Sequence, residues 1–122
     1  MTDHELLRLA ALAAGIKIHE SDDGTIQKRP IWAVTHFVCG QPYGESEWNP
    51  LKDDGDALRL AVKLGLRVCS MANSGEHSAA SATQDYVGAH IEENGSDPYA
   101  ATRRAIVRAA AEIGRRMSNE NK

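Results

Sequence analysis

The chain has 122 residues, 42% of them hydrophobic and 25% charged, a length at which a single core forms without disulfide or metal staples. Its formal charge of -3 gives no basic field over the whole molecule, so contact with nucleic acid requires a local patch. No apolar run reaches the ~18 residues that span a bilayer, and the opening Met1-Thr2-Asp3-His4-Glu5 lacks the basic region of a secretory signal, which predicts a cytoplasmic chain with no membrane contact.

Thr2 with Glu5 three positions on is a capping-box pattern, each side chain satisfying a backbone N–H that the first turn leaves orphaned. A helix is predicted over about residues 3–14, with Leu6, Leu9, Ala10 and Ala13 on one face and Gly15 closing it. Ile16 to Glu20 then alternates apolar and polar residues. Asp22-Asp23-Gly24 and a second short alternation through Ile26 follow, predicting a strand and a hairpin.

Ile31 to Cys39, entered behind Pro30, is the richest β segment and predicts a buried strand. Gly40 to Pro50 is punctuated by glycine and proline and reads as a connection carrying Tyr43 and Trp48. Asp53, Asp54 and Asp56 suit the positive end of a helix macrodipole. The second helix is therefore predicted over about 54–64, with Leu58, Ala61 and Val62 on its inner face and Gly65 at its end.

Leu66 to Met71 and Tyr86 to Ile91 alternate and predict two more strands, paired as antiparallel neighbours. Residues 72–84 between them hold few large apolar groups and read as a mobile loop. Asp97 as N-cap and Pro98 at the first helical position open a third helix over about 98–117, with Tyr99, Ile106, Ala110, Ile113 and Met117 in one stripe. Residues 118–122 read as a frayed tail. The expectation is an α+β fold in one domain, a small antiparallel sheet of 3–5 strands packed with three helices.

Trp48-Asn49-Pro50-Leu51, the stretch Asp53-Asp54-Gly55-Asp56-Ala57-Leu58-Arg59-Leu60-Ala61-Val62-Lys63-Leu64, and Asp97-Pro98-Tyr99-Ala100-Ala101-Thr102-Arg103-Arg104-Ala105-Ile106 together resemble the small phage and prophage proteins of the phage ABA sandwich group. More distantly they resemble the NinX proteins of lambda-like phages. The resemblance implies a helix–sheet–helix sandwich in a phage or prophage accessory protein made in the bacterial cytoplasm. It implies no reaction and supplies no catalytic residue.

The residues themselves carry no enzyme signature. His36 and Cys39, with Cys69, His77 and His90, have the donor chemistry of a zinc site, but an odd separation along a strand turns His36 and Cys39 to opposite faces. Cys39 and Cys69 read as reduced, small buried groups with no neighbouring base to make a nucleophile. A Gly-rich phosphate loop and a serine elbow are both missing from the sequence. Asp53-Asp54-Gly55-Asp56 has carboxylates that hard cations favour but not the spacing of a twelve-residue calcium loop, so helix capping is the better account. No catalytic residue, metal or cofactor is predicted.

Candidate binding residues form two groups. Trp48 and Asn49, with Asp53 and Asp54, sit where a connection meets a helix; the indole there is either a plug over the core, which is favoured, or an anchor for a partner. Asn49 is expected to hold the turn by bonding nearby backbone. Arg104, Arg108 and Arg115 lie near one another on a helix that carries five arginines against two acids over residues 97–117, a face for phosphate or an acidic partner unless the chain's own acids neutralise it. The leading expectation is binding to a host or phage protein. A small-molecule or nucleotide site at Trp48 to Asp56 is the alternative, and nucleic-acid contact through the arginines a weaker one. An uncovered strand edge leaves monomer and weak homodimer both open.

Overall fold

The computed structural model describes residues 2–20, 26–28, 37–38, 41–42, 46–70, 79–84, 87–93 and 97–120. Helix α1 (Asp3–Ala14) opens with the capping box the sequence predicts: Thr2 Oγ1 accepts from the Glu5 N–H, and the Thr2 N–H donates to Glu5 Oε2, each at 3.2 Å. Helix α2 (Asp54–Leu64) is capped by Asp53, whose carboxylate accepts from the Asp56 N–H at 2.8 Å, a device worth about 1 kcal/mol. Gly15 and Gly65 close α1 and α2 at φ of 69° and 65°, a left-handed turn that favours glycine. Helix α3 (Pro98–Glu120) is capped by Asp97, which accepts from the N–H groups of Tyr99 and Ala100. It runs three residues past the predicted end, so residues 118–120 of the expected tail are helical.

The strands are short: β1 (Ile18–Glu20), β2 (Ile26–Lys28), β3 (Phe37–Val38), β4 (Gln41–Pro42), β5 (Ser46–Glu47), β6 (Arg67–Ser70), β7 (Ala79–Gln84) and β8 (Val87–Glu93). They pair in three separate antiparallel ladders, β1–β2–β5, β3–β4 and β6–β7–β8. The predicted hairpin is the β1–β2 pair, with Ile18 opposite Lys28.

The expected α+β architecture, a helix–sheet–helix sandwich around one sheet of 3–5 strands, is not the one found. Of the residues described with their side chains, 69% are helical, and β6 is the one strand described throughout. Among the described residues no single sheet layer separates the helices; α1 and α2 both pack directly on α3, and α3 also lies against β7 and β8. The reason is the size of the facing side chains. Ala10, Ala11 and Ala14 of α1 and Ala101, Ala105, Ala109, Ala110 and Ala111 of α3 are all buried, and such small groups let helices approach closely enough to form the core themselves. Outside the helices, only Ile26, Trp48 and Ala82 join the buried apolar cluster among the described residues.

Two strand expectations also change. The strands near residues 66–71 and 86–91 are not neighbours, because β7 lies between them and pairs with both. That strand comes from the second half of the predicted mobile loop at 72–84; small Ala and Ser residues satisfy a ladder through backbone groups without supplying large apolar surface, and Ala82 is fully buried. Of the predicted strand Ile31 to Cys39, Phe37–Val38 is β3; residues 31–36 and Cys39 lie outside the described residues, as do residues 72–78.

The inner faces are rotated from those expected. On α2, Ala57, Leu60 and Ala61 are buried, whereas Leu58 is 64% and Val62 72% exposed. On α3, Ile106 and Ala110 are buried as predicted, yet Tyr99 stands 69% exposed and Met117 is also exposed.

Of the described glycines, Gly114 has the closest surroundings. A Cβ built there would lie 2.8 Å from the Leu9 carbonyl carbon and closer still to its oxygen, both backbone atoms that cannot swing aside. In a free helix surface Gly→Ala stabilises, by roughly 0.5–1 kcal/mol. Here the sign reverses: Gly114→Ala forces α1 and α3 apart and is expected to lower stability by about 2–3 kcal/mol, read as a fall in the urea midpoint. A midpoint equal to or above the parent's rules out the close approach.

Candidate functional site

The segment that leads into α2 is held by backbone bonds together with its own side chains. The Trp48 N–H donates to the Ile26 carbonyl at 2.9 Å, and its indole is buried at 3% exposure. Trp48 is thus a plug in the core and offers no surface to a partner. The Asn49 N–H donates to Asp56 Oδ2 at 3.0 Å, while Asn49 Oδ1 accepts from the Leu51 N–H at 3.1 Å, the local side-chain turn expected of asparagine. Asp53 caps α2, and Asp56 also holds Arg59 at 2.9 Å. Three of the acids and amides that invite a ligand are therefore spent on building the turn.

Asp54 differs. It is exposed and forms a 2.6 Å ion pair with Arg103 of α3, whose Nε donates to the Leu51 carbonyl at 2.9 Å. This one guanidinium ties the start of α2 to the start of α3. Beside it opens a cavity of about 490 Å³, within the range of about 300–1,000 Å³ typical of ligand sites. Its walls are Ala57 and Leu58 from α2, Val68 from β6, and Pro98, Tyr99 and Ile106 from α3. Asp54, Ser70, Thr102 and Arg103 supply the polar groups. Leu58 and Tyr99 stand largely in solvent and Val68 is 42% exposed, so the groove presents apolar side chains to water.

β6 forms one wall and is open on both faces, with all four of its residues exposed. Cys69 is a free, exposed thiol and not the small buried group expected, since every residue of β6 is exposed. Among the described residues no group of three or more His, Cys, Asp or Glu side chains could hold a metal ion, and the side chains of His36, Cys39, His77 and His90 lie outside the described residues. No helix among the described residues is long and apolar enough to cross a membrane.

The arginine stripe is largely met by the chain's own acids. Arg104 donates to Asp3 Oδ1 at 3.1 Å, which joins α3 to the first turn of α1. Arg115 binds both oxygens of Glu112, one of them through Nε at 2.9 Å, and Arg116 adds a 3.3 Å contact to the same carboxylate. Arg108 is also engaged. Arg104 thus ties α3 to α1, and Arg115 and Arg116 share one carboxylate on α3 itself.

Of the residues predicted to bind, Asp54 alone reaches the groove; Trp48, Asn49, Asp53, Arg104, Arg108 and Arg115 do not line it. Leu58, Tyr99 and Arg103 were missed. Their signal was present as a surplus. α2 carries a second apolar pair, Leu58 and Val62 at i and i+4, beyond what one inner face requires, and Tyr99, Arg103 and Ile106 share a stripe on α3.

No protein-family model, curated protein or solved structure matches the chain.

The Glu112 cluster makes a pH prediction. The hydrogen bond from Arg115, against partial burial and aided by Arg116, holds the Glu112 carboxyl at about 2, down from 4.5. The unfolded chain then binds the extra proton first, so the contribution is fully present above about pH 4.5 and is lost as pH falls toward 2. Glu112→Gln is expected to flatten the pH dependence of the melting temperature between those values; an unchanged slope would show that the cluster adds nothing there.

Proposed function

We propose that this chain is an accessory protein that acts by binding, and that it takes an apolar segment of a host or phage protein into the groove between α2, α3 and β6. The observation that carries the reading is the combination of a cavity of about 490 Å³ with Leu58, Val68 and Tyr99 exposed along it. Binding pockets are lined mainly by hydrophobic and aromatic side chains, and tyrosine and arginine, here Tyr99 and Arg103, are enriched among the anchors of protein recognition. The phage or prophage setting rests on the resemblance of the Trp48, Asp53 and Asp97 stretches alone, and the sandwich that this resemblance implies is not the fold observed. The groove therefore supports the binding role and leaves the origin to that likeness.

A small-molecule ligand is the second reading, favoured by the cavity's volume and by Asp54 and Arg103 at its rim. The two separate by size of occupant. Leu58→Asp and Tyr99→Ser alter exposed positions and are expected to leave stability within about 0.5 kcal/mol of the parent. Each should abolish a stoichiometric complex with one bacterial or phage protein that the parent chain forms in size-exclusion chromatography. If both variants keep that complex intact, the groove is not the interface and the proposal fails.

A further inference from the structure

The two charges of the Asp54–Arg103 pair are held differently. The Arg103 side chain is 16% exposed and that of Asp54 70%. Arg103 is also anchored without Asp54, because its Nε donates to the Leu51 carbonyl at 2.9 Å, so removing the Asp54 charge leaves the guanidinium in place. Both side chains line the cavity. At 2.6 Å each cancels the field that the other would cast into it, since Coulomb attraction depends on distance and not on where any donor points.

The other walls give the site depth. Ala57 and Ile106 belong to the buried core, whereas Leu58, Val68 and Tyr99 are exposed, so the cavity runs from the core to the surface. Thr102, beside Arg103 in the chain, donates its hydroxyl to the Pro98 carbonyl at 2.8 Å. An ion that enters such a space gives up its water and needs an opposite charge in return. The cation at this cavity already has its counter-charge in Asp54.

We infer that Asp54 is a specificity-determining residue: by holding Arg103 neutralised it reserves the cavity for an uncharged, apolar small molecule and turns anions away. The inference rests on the small-molecule reading given above and adds to it the charge class of the ligand and the residue that selects it. A free molecule can occupy the buried end at Ala57 and Ile106 directly, whereas a polypeptide laid across the exposed rim reaches that end only through a side chain.

The test titrates the full chain calorimetrically with three probes of one shape, 2-naphthylmethanol, 2-naphthoate and 2-naphthylmethylammonium, and with a capped tripeptide bearing the same ring on its central residue. In the parent chain the alcohol is expected to bind about tenfold more tightly than either ion, and Leu58→Asp should weaken it by a similar factor. Asp54→Asn should leave alcohol binding within about twofold and improve naphthoate about fivefold relative to it. Asp54→Glu, which restores the charge, should return the parent's order. Naphthoate as tight as the alcohol in the parent, or unmoved by Asp54→Asn, overturns the selecting role of Asp54 and leaves the cavity a small-molecule site. Loss of alcohol binding in Asp54→Asn shows that the pair shapes the cavity instead of choosing its charge, and overturns the inference as well. A tripeptide that binds more tightly than the alcohol overturns the small-molecule assignment. Unchanged alcohol binding in Leu58→Asp puts the probe elsewhere and sinks the inference, and failure of all four probes to bind removes the small-molecule reading with it.

Discussion

The fold depends on how closely α1 can approach α3. At Gly114 the two backbones come near enough that not even a methyl group fits between them, and alanines line much of the remaining contact. Dispersion falls steeply with distance, so a seam of small residues gains more from close backbone packing than its modest side-chain area suggests. The same seam is unforgiving, since interiors packed at crystal-like density transmit any added volume as strain.

That seam also decides where the groove lies. Asp3 meets Arg104, and Leu9 meets Gly114, so α1 runs in the same direction as α3 and covers it from about residue 104 onward. The first turn of α3 projects beyond α1. There α2 meets it, held through Arg103 to Asp54 and Leu51, and β6 closes one side. The apolar walls there are the part of α3 and α2 that the helix seam cannot cover. The site is a by-product of helix lengths and offsets, with one ion pair fixing its width.

Local signals were legible in the sequence, and relational ones were not. The N-caps and glycine stops located α1 and α2 to the residue, because caps act within four positions and answer only to backbone geometry. The burial faces of α2 and α3 were mis-phased, since periodicity says that a stripe exists but not how many neighbours a helix has. Helix α3 buries residues on several sides, Ala105, Ile106 and Val107 in succession, and a single-stripe reading cannot represent that. β7 escaped notice because its stability comes from partners on both edges, while Ala79 to Gln84 carries no large apolar group of its own. The site suffered from the same blindness. Trp48 and Asp53 looked chemically rich, but rich side chains at a helix entrance are consumed in making it, and Arg103 was hidden among five arginines of which it alone reaches the cavity.

The Arg104–Asp3 pair closes a separation of 101 positions, and this has a bearing on how the chain is made. On the ribosome, α1 emerges about a hundred residues before the part of α3 that it will lie against. Until the segment around Gly114 is available, the alanine face of α1 lacks its principal cover, with α2 its other helical neighbour. Such a chain acquires its native core in one late step, so a stall or premature stop anywhere before residue 114 yields an incomplete product exposed to chaperones and proteases.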